Sequence, residues 1–389
     1  MFYAILLFIF CRPFISSLSF PVLNSAYSAI FLLFLIVWVI ARRELIQKNL
    51  PAKLKLPLIL FILSLIASTL FSQDKAHSFP EFPRYIIGLL LFIIPFSLSP
   101  RHKQHLLSAI ILAGLGISFL AIYQYFFGFE YILDYLSKEK TPLPGLIGYL
   151  SQRRAFLPFI SPNTLAGYLI MIIPLSLTLK KRIFFILPLG LALLFTKSLG
   201  ALFSLFLGLM LYFYLNNQKS RKKISLLSGL SAAILLIFLL RLNSASQFNQ
   251  PGFSVLMRWD YWKETLGIIK LFPFLGVGPG TLNLSQATYA HNVCLQIWAE
   301  MGIFGIASFF WLIAETYSLI KRDFLNKKEP SVLSIAIFAF LIHNLIDFTF
   351  FLPEVSFIWW VITGIYCSSQ VPETIVTAAG GGGTPVTLA

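Results

Sequence analysis

The 389-residue chain is 58% hydrophobic and only 12% charged, against about 45–50% apolar and about 25% charged in soluble domains. It carries 30 Lys+Arg against 15 Asp+Glu, a formal charge of +15. These figures exclude a soluble globular protein, and basic residues confined to short loops argue against nucleic acid as a partner. Apolar runs of about 20 residues, without the period-two alternation of an outer-membrane barrel, predict an all-α polytopic membrane protein.

Residues 2–20 form a first span, interrupted by Arg12-Pro13. With no basic n-region and no A-x-A site before it, it reads as retained rather than cleaved. Further spans are predicted at 25–41, 54–72, 84–99, 105–127, 157–178, 183–196, 199–215, 224–241, 303–320, 332–350 and 354–368. That is about twelve transmembrane helices by hydropathy. Ser161-Pro162-Asn163 should break or kink its span near the start. The loops at 42–55, 100–105, 180–182, 216–223 and 321–328 are all basic and share one side if the chain alternates. The positive-inside bias makes that side the cytoplasm, with both termini. The loops 128–156 and 242–302 then face outward.

The domain reading follows. Residues 1–241 are an N-terminal transmembrane bundle with the outer loop 128–156. Residues 242–302 are an extracytoplasmic catalytic loop, 303–368 are C-terminal transmembrane helices, and 369–389 are a flexible Gly-rich tail. Cys11, Cys294 and Cys367 show neither zinc nor disulfide-framework spacing. Asp260, Glu264 and Glu300 are scattered, so the reading has no metal site and no cofactor.

The stretch from Met257 to Gly305 is the longest that is not simply apolar. Asn249-Gln250-Pro251-Gly252 reads as a turn, followed by a helical pattern from Val255 to Ile269. Leu256, Trp259, Trp262, Leu266 and Ile269 suit a helix lying at the membrane interface. Arg258, Tyr261 and Thr265 fall on another face. Arg258 has two readings: a snorkel to lipid phosphate, or a clamp on a diphosphate, whose oxygen pairs suit the guanidinium fork. Gly276-Val277-Gly278-Pro279-Gly280 lacks the Gly-Lys-Ser/Thr of a P-loop, and reads as a tight turn before it reads as a phosphate cradle.

Ala290-His291-Asn292 opens a segment in which Asn292, Gln296 and Glu300 form one polar stripe. An imidazole at a membrane boundary can take a proton from a hydroxyl acceptor; a structural histidine is the alternative. Arg153 and Arg154 breach the positive-inside pattern, so an anionic ligand or lipid headgroups must answer them. His343 and Asp347 lie in an apolar run at i and i+4, as a polar lock between helices or as a substrate contact.

The order Arg258-x-x-x-Trp262, Pro273-x-x-Gly276-x-Gly278-x-Gly280, Ala290-His291-Asn292-x-x-Leu295-Gln296, Glu300-x-Gly302-x-x-Gly305 resembles the O-antigen ligase and polymerase superfamily. The motif block covers the central loop and the next span, and the late His343/Asp347 element is also similar. The resemblance implies a GT-C-like glycosyltransferase of the bacterial inner membrane, with interfacial helices in a large periplasmic loop and its active site facing the periplasm. Its donor would be a glycan on undecaprenyl diphosphate, and its mechanism metal-independent and inverting. A ligase uses a sugar hydroxyl of lipid A–core as acceptor; a polymerase uses another lipid-linked repeat. Carried over, His291 and Arg258 are the catalytic pair. Arg153, Arg154, Asn292, Tyr261, Gln296, His343 and Asp347 are substrate-binding. A small-anion transporter is the competing class, and would place its key polar groups on broken helices near the midplane.

Overall fold

Prolines and apolar runs together set the helix boundaries. Proline fits the first turn of a helix, where its missing N–H is no loss. Pro21, Pro100, Pro162 and Pro353 each open one. The computed structural model describes residues 1–138, 144–215, 221–242, 251–325 and 331–370. The tail beyond 370 and the Asn249-Gln250 part of the expected turn lie outside the described residues.

Helices α1 (Phe2–Cys11), α2 (Pro21–Ala41), α3 (Arg43–Asn49), α4 (Ala52–Leu70), α5 (Lys75–Ile93) and α6 (Pro100–Tyr123) come first. The segment between spans holds α7 (Phe129–Lys138) and α8 (Pro144–Ser151). Then come α9 (Pro162–Ser176), α10 (Arg182–Thr196), α11 (Leu199–Leu215), α12 (Arg221–Leu242) and α13 (Pro251–Leu271). The chain ends with α14 (Val293–Leu325), α15 (Leu333–His343) and α16 (Pro353–Ser368). Among the described residues, 6 helices are long and apolar enough to cross a membrane, and shorter apolar helices accompany them. The protein is an all-helical polytopic membrane protein, and each span read from the sequence has its helix.

Three boundaries differ from the sequence reading. Ser161 breaks its run near the start, as expected, by capping a helix rather than kinking one: its hydroxyl accepts from the Thr164 N–H, so α9 begins only at Pro162. The span expected at 303–320 begins earlier, at Val293, and bends at Gly302, where φ is 68°. It therefore runs across the expected domain boundary at 302/303. The run 332–350 is helical only to His343, because Asn344 turns the chain: its Oδ1 accepts from the Phe350 N–H and from the Thr349 hydroxyl. Asp347 thus lies beyond the helix end rather than one turn along it.

The core lies where α14 runs along α4, α11 along α15 and α16 along α5, with α9 between α10 and α15. Every side chain of α16 from Pro353 to Ser368 is buried. Exposed leucines, isoleucines and phenylalanines cover the outside, as on Leu33, Val37 and Ile40 of α2 and Leu235 and Leu239 of α12. On a membrane protein that surface faces lipid rather than water.

Arg12 faces the bundle interior. It is fully buried, 3.3 Å from an equally buried Glu354, and donates to Asn24 Oδ1 at 2.6 Å. Glu354 also accepts from the Ser17 N–H. The pair ties the end of α1 to the starts of α2 and α16. Removing one member strands the other, at a cost of about 3–5 kcal/mol. Glu354→Ala should therefore lower the thermal unfolding midpoint in detergent, and Arg12→Met/Glu354→Leu should lower it less. An unchanged midpoint in Glu354→Ala would show that the pair holds nothing together.

Candidate active site

The site forms where several helices stop short. A cavity of about 550 Å³ opens among α9, α11, α12, α13 and the break between α15 and α16. Arg154, Arg241, Arg258, Tyr149, Tyr261, His291, His343 and Asp347 line it, with Asn163 and Ser198. Leu199, Phe203, Ile234, Phe238 and Phe253 form an apolar wall.

Arg258 is aimed by the backbone. Its Nε donates to the Ile346 carbonyl at 2.5 Å and its Nη1 to the Ser254 carbonyl at 3.0 Å. The remaining Nη2 stands 3.6 Å from Asp347 Oδ2. Asp347 is fully buried, and its other oxygen accepts from the Phe348 N–H.

Arg154 is held as firmly. Its Nε donates to the Thr196 carbonyl and its Nη2 to Asn163 Oδ1, which also accepts from the Ser198 hydroxyl. Its guanidinium lies 5.4 Å from the Tyr149 ring centroid. Burial, and then the charge of Arg241, hold its pKa below the usual arginine range. Three guanidiniums thus face one carboxylate in a partly dehydrated cavity. An anion entering there relieves their mutual repulsion, and low polarisability of the walls strengthens each contact.

His291 has a left-handed backbone, φ 52°. Its ring stacks on Tyr261 at 5.5 Å and meets the edge of Phe348 at 4.7 Å. Two bonds join this turn to the α15–α16 break: Val293 N–H to the Asn344 carbonyl and Asn292 Nδ2 to the Leu345 carbonyl. Burial pushes the imidazole pKa down to about 4, with nearby Asp347 opposing and Arg258 adding to the drop. The ring is therefore neutral at pH 7, able to accept a proton from a hydroxyl.

The cavity gathers Arg154, Arg258, Tyr261, His291, His343 and Asp347 from the residues singled out in the sequence. Three others lie elsewhere. Arg153 turns away with φ 47° and pairs with the exposed Glu130. Asn292 caps α14, its Oδ1 accepting from the Cys294 and Leu295 N–H groups. Gln296 is buried behind the site: its Oε1 accepts from the Ala290 N–H and its Nε2 donates to Glu300, which also accepts from the Tyr85 hydroxyl. The expected polar stripe is an internal lattice that fixes the backbone just before His291.

Sequence reasoning missed Arg241, Tyr149 and Ser198. Arg241 carried a usable signal, since it ends an apolar run beside a loop that the charge rule assigns to the same side as the loop holding Arg153 and Arg154. Tyr149 and Ser198 carried none; only packing brings them in. On α13, Leu256, Trp259 and Leu266 are exposed as an interfacial helix requires, but Ile269 is buried against Leu282 and Leu284.

The glycine turn does not line the cavity. It docks on the bend of α14: the Val277 and Gly278 N–H groups donate to the carbonyls of Ala299 and Glu300, and the Ile303 N–H donates to the Pro273 carbonyl. Gly276 has φ 71°, and a Cβ there would overlap the backbone of Glu300.

Residues 183–310 match the family model described as O-Antigen ligase. The matched stretch spans α10 to the first half of α14 and contains Arg241, Arg258 and His291; Arg154, His343 and Asp347 lie outside it. The match supports the O-antigen ligase/polymerase superfamily, whose members are glycosyltransferase-like enzymes of lipopolysaccharide biosynthesis. No curated protein matches the chain.

Two outcomes are expected from this geometry. Gly276→Ala should destabilise the protein by about 1–3 kcal/mol from backbone strain alone, and by more if the α14 bend cannot yield. A thermal midpoint equal to wild type would show that the turn is not docked as described. For His291, the folded pKa lies below the ordinary 6.5. The unfolded chain then binds the extra proton between pH 6.5 and about 4, so the stabilisation is complete above 6.5 and is lost as pH falls through that window. Histidine-selective ¹⁵N NMR, assigned with His291→Gln, should give a midpoint near 4. A midpoint at or above 6.5 contradicts the dehydrated site.

Proposed function

We propose, from the match of residues 183–310 to the O-antigen ligase family model, that the protein is a glycosyltransferase of the bacterial inner membrane acting on the periplasmic face. The donor is a polysaccharide on undecaprenyl diphosphate, and the acceptor is a sugar hydroxyl of lipid A–core. Both termini are cytoplasmic on this reading. The observation that carries it is the meeting of Arg154, Arg241, Arg258 and His291 around one cavity.

The reaction is a single displacement. The acceptor oxygen bonds to the anomeric carbon while the bond from that carbon to the phosphate oxygen breaks. Attack from the far side inverts the centre. The hydroxyl proton passes to neutral His291, and undecaprenyl diphosphate leaves with its electron pair. Charge builds on the diphosphate as that bond breaks, and guanidiniums already fixed by Thr196, Asn163 and Ile346 stabilise it without reorganising. The diphosphate also favours protonated His291, so the base strengthens when the donor is bound. Asp347, 3.6 Å from Arg258 Nη2, balances part of the arginine charge. Tyr261, stacked on the imidazole, and Phe348, set edgewise to it, hold the ring in place.

Complementation in two strains tests the acceptor. Restored long glycan on lipid A–core in a ligase-null strain is expected; restored chain length only in a polymerase-null strain would make the protein a polymerase. Arg258→Ala and His291→Ala should each reduce transfer by about 100-fold or more at unchanged membrane abundance. Full activity in His291→Ala would remove the proton-acceptor role.

A further inference from the structure

Asn163 lines the cavity from the second position of α9. The helix does not need it as a cap. Ser161 takes the Thr164 N–H, and Pro162 opens the first turn. The Asn163 side chain meets Arg154 and the start of α11 instead. Its Oδ1 accepts from Arg154 Nη2 at 3.1 Å and from the Ser198 hydroxyl at 3.0 Å. A guanidinium only donates, so the amide atom facing Arg154 is the oxygen. Two donors on that oxygen fix the orientation of the amide and turn its Nδ2 the other way. The Nδ2 is not buried and, among the described residues, donates to no group.

Its neighbours in the cavity wall are donors as well. They are the Arg154 guanidinium and the first turn of α11 at Leu199 and Gly200, where N–H groups have no helical partner. The lone pairs that answer this cluster must come from an occupant.

Holding Arg154 does not by itself call for an amide. An aspartate would accept from the same two donors, with charge assistance. It would also set a second carboxylate among the three guanidiniums and weaken the cavity's attraction for an anion. An amide leaves that charge intact and adds a donor.

We propose that Asn163 Nδ2 donates to a non-bridging phosphate oxygen of the lipid-linked diphosphate, beside Arg154, as an uncharged ligand alongside the three arginines. The proposal rests on the glycan-donor assignment made above. Because Arg154 and Ser198 already fix the amide, the contact forms without reorganisation and strengthens as charge builds on the diphosphate.

Geranylgeranyl diphosphate binding to the full chain in detergent tests it, by titration and by asparagine-selective ¹H–¹⁵N NMR. The side-chain amide resonance of Asn163, assigned with Asn163→Asp, should move downfield in the proton dimension with geranylgeranyl diphosphate and stay in place with geranylgeraniol. Asn163→Asp keeps the acceptor for Arg154 and Ser198, and should weaken diphosphate binding by at least about tenfold. The neutral Asn163→Ala should weaken it in the same direction, which keeps the test valid if the carboxylate disturbs the fold. Wild-type binding with an unmoved amide resonance, or wild-type affinity in either variant, would overturn this contact alone. No binding of geranylgeranyl diphosphate by the wild-type chain would overturn the glycan-donor assignment and the contact with it.

Discussion

The site depends on the backbone break between His343 and Pro353. Its carbonyls, freed from helix pairing, take up groups from elsewhere: Ile346 receives Arg258, Asn344 receives the Val293 N–H, and Leu345 receives Asn292. Backbone that is not helical is tolerated at membrane depth only where it is buried in protein or lines a cavity. Here it does both. The break joins α13, the His291 turn and α15 into one rigid assembly, and the cationic cavity is what that assembly leaves open.

Around it the protein spends its glycines and polar groups on fixing positions rather than on touching ligand. The turn at 276–280 lies against the bend of α14, and Gly302 supplies the bend. Tyr85, Glu300 and Gln296 then carry a line of hydrogen bonds from α5 to the Ala290 N–H. The neighbouring His291 holds a φ of 52° that an ordinary residue avoids. Such strain persists when the surroundings over-determine it. Those contacts, with Tyr261 stacked on the imidazole and Phe348 set edgewise to it, supply that determination.

Much of this was legible in the sequence, for identifiable reasons. Bilayer thickness imposes a helix length, so hydropathy located an apolar helix at each predicted run, 6 of them long enough to cross a membrane among the described residues. Arg258 and His291 stood out because cations and imidazoles near a membrane boundary must be answered by something. The failures are equally physical. Asn292 and Gln296 look like a ligand-facing stripe by helical spacing, but periodicity cannot say whether a face meets a cavity or another helix. Asp347 seemed one turn from His343 only while the run was read as unbroken; Asn344 ends the helix through side-chain bonds to residues 349 and 350. Arg153 and Arg154 are adjacent, and a one-residue left-handed turn decides which of them faces inward.

The most direct measurement is an experimental structure with a non-reactive analogue of a lipid-linked diphosphate donor. The expected density places the two phosphates among Arg154, Arg241 and Arg258, with Asp347 displaced from Arg258 and His291 on the acceptor side of the anomeric carbon. Density for the diphosphate at the Gly276–Gly280 turn, or anywhere that leaves these arginines empty, would contradict the assignment of the cavity as the site of transfer.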